Sequence, residues 1–284
     1  MNTLESHPCF GDHCRPTGRI HLPVSPECNI RCRFCARAIS AKAPRPGNAA
    51  RVVTPGEAMT ILERALRICP EIAVVGVAGP GDPLATSHAV ETLTLAHQKH
   101  PRLMTCLSTN GLALPEYLPR LVEAGLQTLT VTVNAVNPPI LARLCRGVMW
   151  RGEFLPGEAG AARLISAQRE GIRSARALGL TIKVNLVLVP AVNGGHVGEA
   201  AKTVAAWGAS YFNVIPLLPA AEFAAEPAPA DEAVESAREA AEGHLAVFRH
   251  CRRCRADACG VPGVSDYARE LYRDFRPVET FSHG

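Results

Sequence analysis

Six apolar runs of strand length, Ile20 to Val24, Ile72 to Val77, Leu103 to Ser108, Leu126 to Val133, Leu180 to Val189 and Tyr211 to Ile215, are separated by stretches of helical period. The clearest helix opens at Thr54-Pro55-Gly56-Glu57, a capping box with proline in its first turn, and carries an apolar stripe at Ala58, Ile61, Leu62, Ala65 and Leu66. Strands joined through helices run parallel, because a parallel pair needs a long crossover. The pattern predicts an α/β fold: an incomplete, open (β/α)6 version of the eight-fold barrel, with functional loops at the carboxyl ends of its strands. Period-two alternation places Thr128, Thr130, Thr132 and Asn134 on one face of the fourth strand and Leu129, Val131 and Val133 on the other. Lys183 and Asn185 lie opposite Ile182, Val184 and Leu186 on the fifth. The polar faces are expected to line the lumen, with Asn134 and Asn185 nearest the site.

Directly after the first run come Cys28, Cys32 and Cys35, spaced C-x3-C-x2-C. Thiolates at this spacing reach three irons of one 4Fe-4S cluster and leave the fourth iron open. Closed zinc and ferredoxin sites take four protein ligands, and no fourth cysteine follows nearby. The turn Ala78-Gly79-Pro80-Gly81-Asp82-Pro83-Leu84 follows the second run, and its glycines allow a backbone to approach a ligand. The third run ends Cys106-Leu107-Ser108-Thr109-Asn110, with three polar side chains at its tip and a thiol two residues deeper. Such a buried thiol is either a small hydrophobe or a ligand.

Eleven cysteines, an odd number with six in the clusters Cys28 to Cys35 and Cys251 to Cys259, suit metal ligation in a reducing compartment better than a disulfide framework. His7, Cys9, His13 and Cys14 crowd one loop-like segment ahead of the first strand, and Cys251 and Cys254 form a C-x2-C that alone could serve zinc, redox chemistry or an iron-sulfur cluster. Cys69 and Cys145 read as packing residues. A net charge of +4 is too mild to imply nucleic acid, and no apolar run is long enough to cross a bilayer. The polar start at Met1 to Glu5 is unlike a secretory leader, so a cytoplasmic location is expected. The chain divides into an N-terminal ligand extension (1-19), a barrel (20-219), and a segment of surface linker (Ala220 to Pro229), helix (Asp231 to about Arg249) and C-terminal ligand extension (220-284).

The cysteine loop resembles the signature of the radical S-adenosylmethionine (SAM) enzymes, which adopt a partial (β/α)6 TIM barrel. That resemblance implies that Cys28, Cys32 and Cys35 hold a 4Fe-4S cluster whose open iron is chelated by SAM, with Phe34 packed beside it. It implies reductive cleavage of SAM to methionine and a 5'-deoxyadenosyl radical. Gly79, Pro80, Gly81 and Asp82 resemble the turn that holds the SAM amine, and Ser108, Thr109, Asn110, Asn134 and Asn185 are the further candidates for SAM contact.

From His7 to Gly263 the sequence resembles the NifB family of radical SAM maturases in nitrogenase cofactor assembly. The match is carried by His7-Pro8-Cys9, His21-Leu22-Pro23-Val24, Arg45-Pro46-Gly47, Lys183-Val184-Asn185 and, most specifically, His250-Cys251-Arg252-Arg253-Cys254-Arg255-Ala256-Asp257. It implies a nitrogen-fixation lyase that joins two further 4Fe-4S substrate clusters, a SAM-derived carbide and an added sulfur into an 8Fe-9S cofactor precursor. The implied accessory ligands are Cys9, Cys106, Cys251 and Cys254, with His7 or His13 as an imidazole. The implied partners are iron-sulfur cluster donors, an electron donor such as ferredoxin or flavodoxin, and a downstream cofactor carrier or assembly scaffold. Ala41 stands where the family has another cysteine, while Cys14 and Cys259 are additional thiols. These departures suggest a divergent member serving a nitrogenase-like reductase, such as a methylthio-alkane reductase. The alternatives are a radical SAM peptide or cofactor maturase with auxiliary clusters and a non-catalytic iron-sulfur carrier.

Overall fold

The computed structural model describes residues 7–10, 17–36, 39–40 and 45–272. His13, Cys14 and Ala41 lie outside the described residues. In chain order the first half contains β1 (Gly18–His21), β2 (Ile30–Cys32), α1 (Pro55–Ile68), β3 (Ile72–Val77), α2 (His88–Lys99), β4 (Met104–Thr109), α3 (Leu114–Glu123), β5 (Thr128–Thr132) and α4 (Pro138–Leu144). The second half contains β6 (Cys145–Trp150), β7 (Glu153–Pro156), α5 (Gly157–Ala177), β8 (Thr181–Leu188), α6 (Pro190–Asn193), α7 (Val197–Trp207), β9 (Tyr211–Pro216), α8 (Asp231–Glu242), β10 (Ala246–Val247), β11 (Cys259–Gly260) and α9 (Ala268–Leu271).

The main sheet runs β10-β9-β8-β5-β4-β3-β1-β11. Its six strands from β9 to β1 are parallel and correspond to the six apolar runs. The β10 and β11 edges are not paired with one another, so the barrel is open. The predicted alternation decides which face meets the helices. Leu129, Val131, Val133, Ile182, Val184 and Leu186 are fully buried in the core, at about 1.5–3 kcal/mol per side chain. Thr130, Lys183 and Asn185 face the lumen and line its cavity. At the foot of α1 the capping box is present: the Glu57 N–H donates to the Thr54 hydroxyl at 3.3 Å and the Thr54 N–H to the Glu57 carboxylate at 2.8 Å.

Four expectations require correction. The first strand begins at Gly18 and ends at His21, before Pro23, which has no N–H to extend the ladder. The last long helix stops at Glu242 and not near Arg249; Gly243 caps it, and Ala246–Val247 then pairs with β9. The stretch after β9 is more than a surface linker, because Phe223 is buried with Leu144, Val189 and Leu217. Glu222 also bridges Arg33 and Arg146 at 2.7 and 2.6 Å. Finally, β2, β6 and β7 form a separate antiparallel sheet that the βα pattern did not announce. Among the described residues no helix is long and apolar enough to cross a membrane.

Candidate active site

The cysteine loop is fastened to the barrel mouth by backbone bonds. Gly81 N–H donates to the Ser25 carbonyl at 2.9 Å and Asp82 N–H to the Glu27 carbonyl at 2.7 Å. A Cβ on Gly81 would overlap the Glu27 carbonyl, so this glycine allows the turn to press on the cysteine loop itself. Gly79, at φ +134°, is confined by the Gly47 carbonyl and Ala256.

Asp82 is buried, and its carboxylate accepts from Leu84 N–H at 2.9 Å, the Thr109 hydroxyl at 2.9 Å and Asn110 N–H at 2.6 Å. Burial pushes its carboxyl above the ordinary aspartate value, against the pull of these donors. Asn110 donates onward to the Asn29 side chain at 2.7 Å and accepts Leu112 N–H at 2.8 Å. Asp82, Thr109 and Asn110 thus lock turn, strand end and cysteine loop together through their own polar atoms. Asn134 accepts Val187 N–H at 2.9 Å, and Asn185 accepts the Asn213 amide at 3.0 Å.

Cys28, Cys32 and Cys35 line one cavity with Pro80, Gly81, Asp82, Ser108, Thr109, Asn110, Asn134 and Cys145. The Cys32 thiol is pushed well above its ordinary value by its hydrogen bond with Cys145, by burial and by the nearby Cys35 and Cys28. Beside it lies a cavity of about 460 Å³ lined by Phe34, Cys35, Pro80, Gly81, Ser108 and Asn185, within the usual small-molecule range. Phe34 meets this space and also packs on the Leu144, Val189 and Leu217 cluster.

A third cavity gathers the thiols of the chain ends, Cys9, Cys251 and Cys254, with Cys106 of β4 and with His7, His21, Arg19 and Lys183. Ala78 and Ser108 line all three cavities, so the spaces adjoin. All ten described cysteines are free thiols. Burial pushes Cys9 up and Cys106 to about 11, so both are held as neutral thiols that metal binding would deprotonate. Among the described residues no three His, Cys, Asp or Glu side chains close on a single ion. Soft thiols spread around a cavity fit iron-sulfur material.

Two buried cations complete this cavity. Arg19 donates to Cys254 Sγ at 2.9 Å and to the Gly260 carbonyl at 2.9 Å. Lys183 Nζ donates to the Cys9 carbonyl at 3.2 Å and sits 4.7 Å from the centre of the Phe10 ring and 4.9 Å from that of Phe248. His7 differs from expectation in one respect. Its Nδ1 accepts Cys9 N–H at 3.0 Å, so the neutral ring carries its proton on Nε2, a buried atom without a hydrogen-bond partner among the described residues. Burial, Lys183 and His21 lower its pKa to about 3. His21 has the opposite tautomer: Nδ1 donates to the Arg255 carbonyl at 3.0 Å and leaves the Nε2 lone pair, the arrangement typical of metal-binding imidazoles. Burial and Arg19 lower its pKa to about 4.

Arg19 and His21 were not predicted. They alternate with the buried Ile20 and Leu22; His21 already lay inside the expected run, on the face opposite Ile20 and Leu22, and starting the strand two residues earlier would have added Arg19 to that face. Cys259, counted among the additional thiols, instead pairs through its backbone with Ile20 and lies near Cys69, its thiol pushed up to about 12 by burial.

The pattern of the Radical SAM superfamily matches residues 22–204. The FeMo cofactor biosynthesis protein NifB of Methanocaldococcus infernus is 39% identical over 274 residues, 95% of this chain and 90% of that protein. NifB of Methanocaldococcus jannaschii is 39% identical over 271 residues, 94% of this chain and 90% of its own length. Against NifB of Azotobacter vinelandii the identity is 35% over 92% of this chain, which spans only 53% of that protein. Two solved structures share the fold at low identity. A radical SAM methyltransferase from Sphaerobacter thermophilus matches with TM-score 0.53 and 19% identity, over 81% of this chain and 64% of that one. Methylornithine synthase matches with TM-score 0.55 and 14% identity, over 86% and 67%. Open barrel, thiol trio and near full-length similarity agree, and the chain belongs to the NifB family of the radical SAM superfamily.

Proposed function

We propose that this chain is a cofactor maturase that fuses two 4Fe-4S substrate clusters, with a carbide drawn from SAM and an added sulfur, into an 8Fe-9S-C precursor for nitrogenase or a nitrogenase-like reductase. The observation that carries this reading is the adjacency of the end-of-chain thiols to the cysteine-loop cavity through Ala78 and Ser108. The relatives named for FeMo cofactor biosynthesis support it.

Cys28, Cys32 and Cys35 would hold the resident 4Fe-4S cluster, with Gly79, Pro80, Gly81, Asp82, Ser108, Thr109, Asn110, Asn134 and Asn185 shaping the SAM site. When bound, the cluster and SAM supply a reactive 5'-deoxyadenosyl radical and a methyl group. The chain contributes placement and exclusion of water. Asp82 fixes the turn against the cysteine loop, while Cys9, Cys106, Cys251 and Cys254, with imidazole from His7 or His13, hold the substrate clusters; His7 would have to give up its Nδ1 contact with the Cys9 N–H and switch tautomer to ligate through Nε2. Arg19 and Lys183 offset the negative charge of thiolate-bound cargo. Cluster donors, a ferredoxin or flavodoxin, and a downstream carrier or scaffold complete the cycle. The divergent cysteine pattern favours a nitrogenase-like client, and full rescue of a maturase-deficient nitrogen fixer would argue against that specialisation.

The test is anaerobic incubation of the cluster-loaded protein with SAM labelled in its methyl carbon. Label in the extracted iron-sulfur product, together with 5'-deoxyadenosine, is expected. Iron loading without any 5'-deoxyadenosine would instead identify a carrier.

A further inference from the structure

Cys145 opens β6 and is the Cα partner of Cys32 across the antiparallel β2–β6 ladder. Arg33 N–H donates to the Leu144 carbonyl at 2.9 Å, one residue beyond each member of the pair. That bond makes Cys32 and Cys145 a non-hydrogen-bonded pair, whose Cα atoms typically approach to about 4.5 Å. Disulfides span Cα separations of about 4.4–6.8 Å, so the ladder presents the two residues at a separation a disulfide accepts. The side chains agree with the backbone, since the two thiols are hydrogen-bonded to each other. Cys145 is buried and further held by its contact with the Gly147 carbonyl at 3.2 Å, while Cys32 is half-buried and nearer solvent. Both pack on the apolar cluster formed by Ile30, Leu141 and Val148.

We propose that Cys32 and Cys145 form a reversible thiol pair that closes to a disulfide when the loop lacks its cluster and a low-molecular-weight disulfide such as glutathione disulfide is present, so that cluster loading requires prior reduction of this bond. The inference rests on the reading of Cys32 as a cluster ligand. Glutathione disulfide first meets Cys32, the more accessible thiol, and one glutathione leaves as a mixed disulfide forms. Cys145 then attacks the Cys32 sulfur and releases the second glutathione. The Cys32–Cys145 S–S bond forms, the glutathione S–S bond breaks, and the two electrons and two protons lost by the cysteines leave in two glutathione thiols. Closure removes one of three donors from the loop, and two thiolates cannot hold three irons.

The test begins with reduced, cluster-free, full-length protein under anaerobic conditions, treated with glutathione disulfide, alkylated, digested and mapped by mass spectrometry. Iron uptake is then measured with and without dithiothreitol. The expected result is a dominant peptide pair linking Cys32 to Cys145, absent from Cys145→Ser, with uptake of the SAM-responsive cluster lost on oxidation and restored by reduction. Linkage of Cys32 mainly to Cys28 or Cys35, or uptake unaffected by the Cys32–Cys145 bond, would overturn the proposal. Reduced protein that takes up no SAM-responsive cluster would overturn the ligand reading and the proposal together. A cluster that loads normally, with no Cys32–Cys145 peptide in the oxidised apoprotein, would overturn the proposal alone.

Discussion

The Cys28–Cys35 loop is held by the barrel mouth through backbone bonds from Gly81 and Asp82 and through the Asn110–Asn29 bond, none of which uses a cysteine. The neighbouring cavity is assembled differently. Its four thiols arrive on three pieces of chain, Cys9 from the N-terminal segment, Cys106 from β4, and Cys251 and Cys254 from the segment after β10. Several of its contacts involve the candidate ligand residues themselves: Lys183 on the Cys9 carbonyl, Arg19 on the Cys254 sulfur, and Cys9 N–H on His7. A loop positioned mainly through residues other than its cysteines, with Cys32 the exception through its pairing to Cys145, suits a resident cofactor. A cavity whose scaffold is partly its ligands suits material that enters and leaves.

Asp82→Ala tests the first half of this contrast and should have the largest effect. It strands the donors of Leu84, Thr109 and Asn110 in a buried place, at about 3–5 kcal/mol in all. Denaturant melts should show that loss, and reconstitution should yield no SAM-responsive cluster. Wild-type-like iron at Cys28, Cys32 and Cys35 would break the contrast.

Asp257 does for the second region a smaller version of what Asp82 does for the first. Nearly inaccessible, it accepts Ala50 N–H at 2.6 Å and pairs with Arg255 at 2.8 Å, anchoring the segment that carries Cys251 and Cys254. Asp257→Ala is expected to cost about 2–4 kcal/mol and to lower iron in the outer cavity while the SAM-responsive EPR signal persists. Loss of both signals together would show that the two regions are one cooperative unit. Thr54→Ala touches neither region and removes only the α1 cap, so it should cost about 1 kcal/mol with iron content unchanged.

The parts legible in the sequence are those governed by a local period or spacing. Leu129, Val131 and Val133 against Thr128, Thr130 and Thr132 announce a strand with one face to the helices, and Cys28, Cys32 and Cys35 announce a three-thiol loop. Asp82 was visible as an acid in a turn, but two of its partners are the backbone N–H groups of Leu84 and Asn110, which carry no residue-type signal, and the Thr109 hydroxyl and Asn110 N–H come from a segment far along the chain. Cys145 was read as a packing residue and is buried, but its pairing with Cys32 could not be read, because the strand that carries Cys32 is short and its register belongs to tertiary structure. Arg19 and His21 were legible in principle: a boundary error of two residues hid Arg19, and His21 stood inside the expected first run without its lumen face being read. The two-residue strand at Ala246–Val247 offers too little pattern to compete with the helical composition before it.

The adjacency of resident and cargo sites is tested most directly by anaerobic iron quantification with EPR before and after SAM, on the wild type and on Cys251→Ala. About twelve irons per wild-type chain are predicted from three four-iron clusters, with fewer in the variant and its SAM-responsive signal retained. Four irons in both proteins would contradict the account.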